Sequence, residues 1–324
     1  MYLLGIDIGS TTIKAVIFRY NGNLVSMGRR ETKLFVNNEE YFWKPEDIWQ
    51  AVCESIKEAI ANIEKPEQIK AVAVSGFGQD AVPLDKQGKC LYPFISWHDK
   101  KTGEQMNELL TKIEDREIYN ISGAKPWHIH TIYRIMWLKK YKPSIYKKVF
   151  KWLPITDYIN YKLCGSILTD FSEASTTSLL DQSDLNWSKT MIKKSNIVVD
   201  ILPNIENSGT YIGEITSESS KSTGLTRGTP VILGGHDNNC AAFASGSLHD
   251  GGLISITGTF ESNMVFTEKP IINEIGYDKN LISEKSVVRE KNLLMGFMLA
   301  GGIIESHKKN IYKIDKKEDS NNFY

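Results

Sequence analysis

The sequence carries no excess charge of either sign: Lys+Arg and Asp+Glu both number 39, so the formal net charge is zero. That balance removes the electrostatic reason to expect nucleic acid or an anionic membrane surface as a partner. Cysteine is scarce. Cys53, Cys90, Cys164 and Cys240 are scattered without short paired spacings, which argues against a disulfide framework and against a thiolate zinc site. Reduced thiols are expected. No apolar run approaches the roughly 20 residues that a bilayer crossing requires, and Asp7 stands where a signal peptide needs its apolar core. A cytoplasmic protein without a membrane partner is the expectation, and no internal repeat stands out. What is present suffices for a large core. With 41% hydrophobic residues over 324 positions, the length predicts two domains, or one domain and part of another.

The chain opens on MYLLGIDIGSTTIKAVIFR. Leu3, Leu4, Ile6 and Ile8 predict a buried strand, Ala15 to Phe18 a second, and Gly9-Ser10-Thr11-Thr12 the turn between them. A carboxylate at Asp7 inside an apolar strand needs a cation or donors to compensate its burial, and the turn offers N–H groups and hydroxyls suited to an anion. This pairing points to a metal-nucleotide site. An ordinary hairpin with a polar turn accounts for the same residues. Asn21-Gly22-Asn23 reads as a turn, and Leu24 to Lys33 as a third antiparallel strand. Pro45-Glu46-Asp47 starts a helix whose Ile48, Val52, Ile56 and Ile60 recur at helical spacing.

Ile69 to Ser75, IKAVAVS, predicts a central parallel strand covered on both faces. It ends in Gly76-Phe77-Gly78-Gln79-Asp80, at the carboxyl end of a strand, where open α/β sheets place ligands. The same expectation applies to Ser96-Trp97-His98-Asp99. From Lys100 to Gly165 the pattern turns mostly helical, with Pro143 and Pro154 as breaks, predicting a helical subdomain. TDFSEASTTSLLD, within residues 168–200, reads as a loop and helix start lining a cleft. GLTRGTPVILGG predicts a turn, a strand and a glycine-rich exit into the helix start HDNNCAAFASGS, and GGLISIT a further strand ending at Gly258-Thr259-Phe260-Glu261.

Taken in order, GIDIGSTTIKAVIF, GFGQDAVPLDKQGKCLYPFISWHD, GGHDNNCAAFASG and ITGTFES resemble the FGGY family of carbohydrate kinases, in its fuculokinase and xylulokinase branch. The resemblance implies an α/β, actin-like (ribonuclease-H-like) fold of two lobes, with a sugar held mainly by the first lobe and Mg-ATP between them. It assigns residues 1–250 to an N-terminal sugar-binding and catalytic domain, and 251–324 to the incomplete start of a nucleotide-binding one. The family's adenosine-binding region is expected downstream of these residues, so the chain reads as truncated. A partial second lobe would expose apolar surface, which leaves a homodimer open.

The site residues follow from the resemblance. Asp237 matches the catalytic aspartate that accepts a proton from the sugar hydroxyl; as a residue at a helix start it also suits an N-cap. Asp7 matches the position associated with Mg²⁺. Thr11, Thr12 and Lys14 match the first phosphate loop, although Lys14 could equally be a solvated strand residue. Gly258 and Thr259 match the second phosphate loop, where a plain turn is the alternative. Sugar hydroxyls call for carboxylate or amide groups and an aromatic wall, chemistry offered by Gln79, Asp80, Trp97 and Asp99 at matching positions. Trp97 is otherwise a core residue. His130 falls where the family places a substrate contact and also reads as a structural histidine. Glu261, beside the second loop, completes the substrate set. Gly78-Gln79-Asp80 departs from the Gln-Met-His of typical xylulokinases, which leaves a deoxy-sugar ketose or another pentulose open.

Overall fold

The computed structural model describes residues 1–249, 251–257 and 260–299. Its organising element is a six-stranded sheet in the order Tyr211–Glu214, Pro230–His236, Ile69–Gly76, Tyr2–Ile8, Thr12–Arg19, Leu24–Glu31. The three central strands run parallel, and the outer pairs are antiparallel. This mixture follows from connection length: the tight turn after Ile8 permits only an antiparallel return, whereas long helical crossovers bring Ile69–Gly76 and Pro230–His236 back in parallel.

Alternation decides the faces. Leu4, Ile6, Ile8, Ile13, Ala15, Ile17, Val72, Val74 and Val231 form one apolar core. Onto it packs the helix Pro45–Ala61, through Ile48, Val52 and Ile56, against the second and third strands. The helix Ile155–Cys164 packs against Ile69–Gly76 and Pro230–His236. Ala71, Ala73 and Ser75 are only half-buried, so this central strand is less completely covered on its second face than its apolar run implies.

A second cluster, including Ile95, Leu109, Ile118, Ile132, Ile135, Leu138 and Trp152, forms the core of the helical region. One segment there departs from the helical expectation: Lys151–Pro154 is a strand paired antiparallel with Ala81–Leu84, because that pairing buries Trp152 and Leu153. A separate four-stranded antiparallel sheet has the order Leu253–Thr257, Phe260–Thr267, Asn292–Leu299, Ile282–Lys285. It encloses a small core of Ile254, Met264, Phe266, Leu293 and Met295 with Ala242. This sheet is tied to the rest of the chain at two helix ends: Ser283 N donates at 2.9 Å to the O of Gly123, which caps the helix Asp115–Ser122, and Lys285 N donates at 3.3 Å to Oγ of Ser175, the last residue of the helix Phe171–Ser175.

Among the described residues no helix is long and apolar enough to cross a membrane.

Candidate functional site

The parallel register brings three strand ends to one level. Asp7 lies opposite Ser75, and Gly76 lies opposite both Ile8 and His236. Asp7 and Asp237, 230 positions apart in the chain, therefore flank a single central strand at its carboxyl end. The Pro230–His236 strand reaches this position through a bulge between Ile232 and Gly235. A Cβ on Gly234 would stand 1.9 Å from the Val74 carbonyl oxygen, so only glycine permits that approach, and the displaced register re-aims the strand end.

Asp7 is about one-third exposed. Its Oδ2 pairs with Lys14 Nζ at 3.1 Å across the hairpin, and Ser75 Oγ donates to its Oδ1 at 3.4 Å. Lys14 thus serves as a partner of Asp7. The turn is tight: Gly9 N donates to Thr12 O, and Thr32, just past the third strand, closes over it, donating to Gly9 O through its hydroxyl and to Thr11 O through its N–H.

Asp237 is the first residue of the helix Asp237–Ala244, with His236 at the N-cap position. Its Oδ1 accepts from Asn238 N at 2.6 Å and lies 3.4 Å from His236 Nε2. Burial raises its carboxyl above the ordinary value, His236 opposes this, and Asp7 adds to it. The push of Asp7 on Asp237 accords with the shared level of the two strand ends.

A cavity of about 350 Å³ opens beside Asp237, large enough for a small polar ligand. Its polar lining is Ser10, Gln79, His130, Ser175, Thr176, His236, Asp237, Asn238, Ser262 and Glu284; Phe77, Trp97, Trp127, Ile129, Ile256 and Ile282 supply much of the apolar wall. Trp97 is held by stacking on His98, with ring centroids 3.7 Å apart. Gln79 has a φ of +69°, a left-handed conformation that costs a non-glycine residue about 1 kcal/mol. Three contacts hold it there: its N–H donates to Thr176 Oγ1 at 3.0 Å, and its carbonyl accepts from Thr131 Oγ1 at 2.7 Å and from Arg134 Nη1.

Asp80 and Asp99 turn the other way. Asp80 is fully buried, pairs with Arg134 Nη2 at 2.8 Å, and accepts from Trp43 Nε1 at 2.7 Å and Trp97 N at 3.3 Å. Burial pushes its carboxyl up to about 6, against the pull of Arg134. Asp99, also buried, accepts from Tyr41 N and Lys101 N and pairs with Lys101 Nζ. Neither lines the cavity, yet each braces a wall residue's neighbourhood. Glu261 accepts from Ser255 Oγ and Asn263 Nδ2, and the cavity is lined by the adjacent Ser262 instead. Gly258 and Thr259 lie outside the described residues.

His130 is buried against the cavity, and burial, with Arg134 and His128 adding to it, holds its imidazole down at about 3 from an ordinary 6.5. The folded chain therefore keeps it neutral while the unfolded chain protonates it below about pH 6.5. Its contribution to stability is present above that pH and is lost as pH falls toward 3. Urea unfolding at pH 6.5 and 4.5 should show the wild type losing about 2 kcal/mol more than His130→Gln across that interval.

Several lining residues carried no specific signal in the sequence. Ser175 ends the short helix Phe171–Ser175 and Thr176 follows it; Asp170 caps the helix start by accepting from Ser172 N and Glu173 N. The Ser/Thr-rich TDFSEASTTS hinted at this segment. Trp127 and Glu284 had no local pattern to mark them.

The sequence pattern of the FGGY family of carbohydrate kinases, N-terminal domain, matches residues 2–244. L-fuculokinase of Escherichia coli K12 is 30% identical over 267 residues, covering 81% of this chain and 56% of that protein. Autoinducer-2 kinase of Yersinia enterocolitica is 29% identical over 276 residues, covering 83% and 52%. The chain spans about half the length of these curated relatives. Among solved structures, xylulose kinase from Rhodospirillum rubrum superposes with a TM-score of 0.90 at 20% identity, over 98% of this chain and 64% of that one. Plasmodium falciparum glycerol kinase with ADP gives 0.87 at 21% identity, over 98% and 65%. The fold is the α/β, actin-like fold of these kinases.

Proposed function

The chain belongs to the FGGY family of carbohydrate kinases, and from that premise we propose that it takes part in ATP-dependent phosphorylation of a sugar at a terminal hydroxyl. The sugar is a ketose, such as a pentulose or a deoxy-hexulose, and the relatives named fuculokinase and xylulose kinase support this class. The observation that carries the reading is the convergence of Asp7 and Asp237 on the ends of strands flanking one central strand, beside a cavity of about 350 Å³.

Asp237 is the general base. A carboxyl raised above its ordinary value is a better proton acceptor for a sugar hydroxyl than a solvated one, and a positioned base contributes about 10²–10⁴-fold to rate. Trp97 provides the apolar wall, and Gln79 and His130 meet sugar hydroxyls; a neutral His130 can both donate and accept. Asp80 and Asp99 support these residues from behind. Thr11, Thr12 and Lys14 receive the phosphate end, a role the family resemblance also gives to Gly258 and Thr259, and Glu261 belongs to the substrate set. Asp7 would hold Mg²⁺: a single half-buried carboxylate at a turn rich in N–H and hydroxyl groups suits an ion bound through one or two carboxylates plus substrate phosphates. When bound, Mg²⁺ neutralises charge on the transferring phosphoryl group. Residues 1–250 form the sugar-binding part and 251–324 the beginning of the nucleotide-binding part.

A thermal-shift screen of ketoses and polyols, followed by calorimetry and an ADP-release assay with the hit, tests the reading. The expected result is a rise in Tm with one ketose and ADP release that depends on it. Sugar binding without measurable Mg-ATP affinity would make the chain a sugar-binding module and overturn phosphotransfer.

A further inference from the structure

His236 has a carboxylate at each ring nitrogen. Nε2 lies 3.4 Å from Asp237 Oδ1, and Nδ1 lies 3.7 Å from Glu284 Oε2, an ion-pair distance just beyond a hydrogen bond. A neutral imidazole has one N–H and one lone pair, so it would turn its lone pair on one of these two oxygens. Only the imidazolium offers an N–H to both. Its backbone is pinned as well, since His236 N donates to Ser172 Oγ at 2.9 Å and Ser172 Oγ donates to Asp170 Oδ2 at 2.6 Å.

Glu284 comes from the other sheet, in the strand Ile282–Lys285, and is itself buried. Besides facing His236, its Oε2 accepts from Asn239 Nδ2 at 3.3 Å. It therefore holds residues on both sides of Asp237. The charges facing this group are mostly negative: Glu284, Asp237 and Asp170 act on His236, while Asp7 and Glu284 act on Asp237. Burial holds the nearby Glu173 carboxyl well above its ordinary value, toward the neutral form. Asp7 and Glu284 both favour the protonated form of Asp237, which is useless as a base, and a cation at position 236 opposes them.

We infer that Glu284 is a positioning residue: it keeps His236 doubly protonated and oriented, so that His236 holds the Asp237 carboxylate ionised and turned toward the cavity. The role at Asp237 rests on the phosphotransfer reading; the state of the His236 ring does not. The ring's affinity for its proton agrees, since burial alone would lower it and the flanking acids outweigh burial, holding it at about 9.

The test is ¹³C and ¹⁵N imidazole NMR on the whole chain, with histidine-labelled wild type, Glu284→Gln and Glu284→Asp. At pH 7.5 the wild-type His236 ring should carry protons on both nitrogens, and Glu284→Gln should lower its titration midpoint by at least one pH unit. A neutral wild-type ring overturns the inference even if no variant folds, and so does an unchanged midpoint in Glu284→Gln. In ketose-dependent turnover, Glu284→Gln should reduce kcat about tenfold with KM within twofold, and Glu284→Asp should recover part of the loss. A loss confined to KM also overturns it. A protonated ring in a wild type that releases no ADP supports the His236 clamp while counting against phosphotransfer.

Discussion

Replacing Asp237 by Asn should reduce sugar-dependent ADP formation by about 10²–10⁴-fold while leaving sugar affinity within a few-fold. The substitution is nearly isosteric, and Asn keeps an oxygen that can accept from Asn238 N as Oδ1 does now, so the helix start survives. What is lost is the only property the proposed reaction demands of this side chain, the capacity to take a proton. The measurement is a coupled ADP assay at saturating ketose, with calorimetric sugar binding as the control. Turnover near the wild-type rate would remove Asp237 from the chemistry whatever the fold. Asp237→Ala should be equally inactive and less stable, since it also removes the pairing with His236.

Arg134→Met should be the most destabilising substitution considered, costing about 3–5 kcal/mol and lowering Tm by several degrees. The guanidinium and the Asp80 carboxylate are both excluded from water, and their 2.8 Å contact is what makes the burial tolerable. Without Arg134, Asp80 keeps only the Trp43 and Trp97 donors, and the Gln79 carbonyl loses one of its two. The sign of the pH effect follows from Asp80. Its folded carboxyl is raised to about 6 from 3.8, so its contribution to stability declines as pH rises from about 4 to 6 and is level above that. The deficit of Arg134→Met should therefore be largest at neutral pH and shrink as pH is lowered through 6. The double variant Asp80→Asn, Arg134→Met should regain part of the loss, because no uncompensated charge remains buried. Differential scanning fluorimetry at pH 5 and 7.5 decides: equal deficits at both values would mean that the carboxylate is not what the arginine serves.

These two residues mark the limits of sequence reading. The hairpin around Asp7, the helix from Pro45 and the apolar run at Ile69 are recognisable because each depends on spacing within a dozen residues. The glycine exit before Asp237 is recognisable for a related reason, since two consecutive glycines after an apolar strand announce a backbone that approaches something closely; that the something is the Val74 carbonyl is a fact of the sheet. Gln79 and Asp80 are adjacent in the chain and share one expectation, yet Gln79 lines the cavity and Asp80 points into the core. The difference arises from the left-handed turn at Gln79 and from Arg134, more than 50 residues away.

By itself, the sequence determined the principal strands and helices of the first sheet, which motifs stand at strand ends, and the family, because local periodicity and motif order survive without knowledge of neighbours. Tertiary structure alone decided that Asp7 and Asp237 share one end of the sheet, that Ser175, Thr176 and Trp127 join the cavity, and that Glu284 reaches His236 from a second sheet. Those are contacts between groups far apart along the chain, and the direction of a side chain beyond a strand end is set by what packs against it, which no local pattern records.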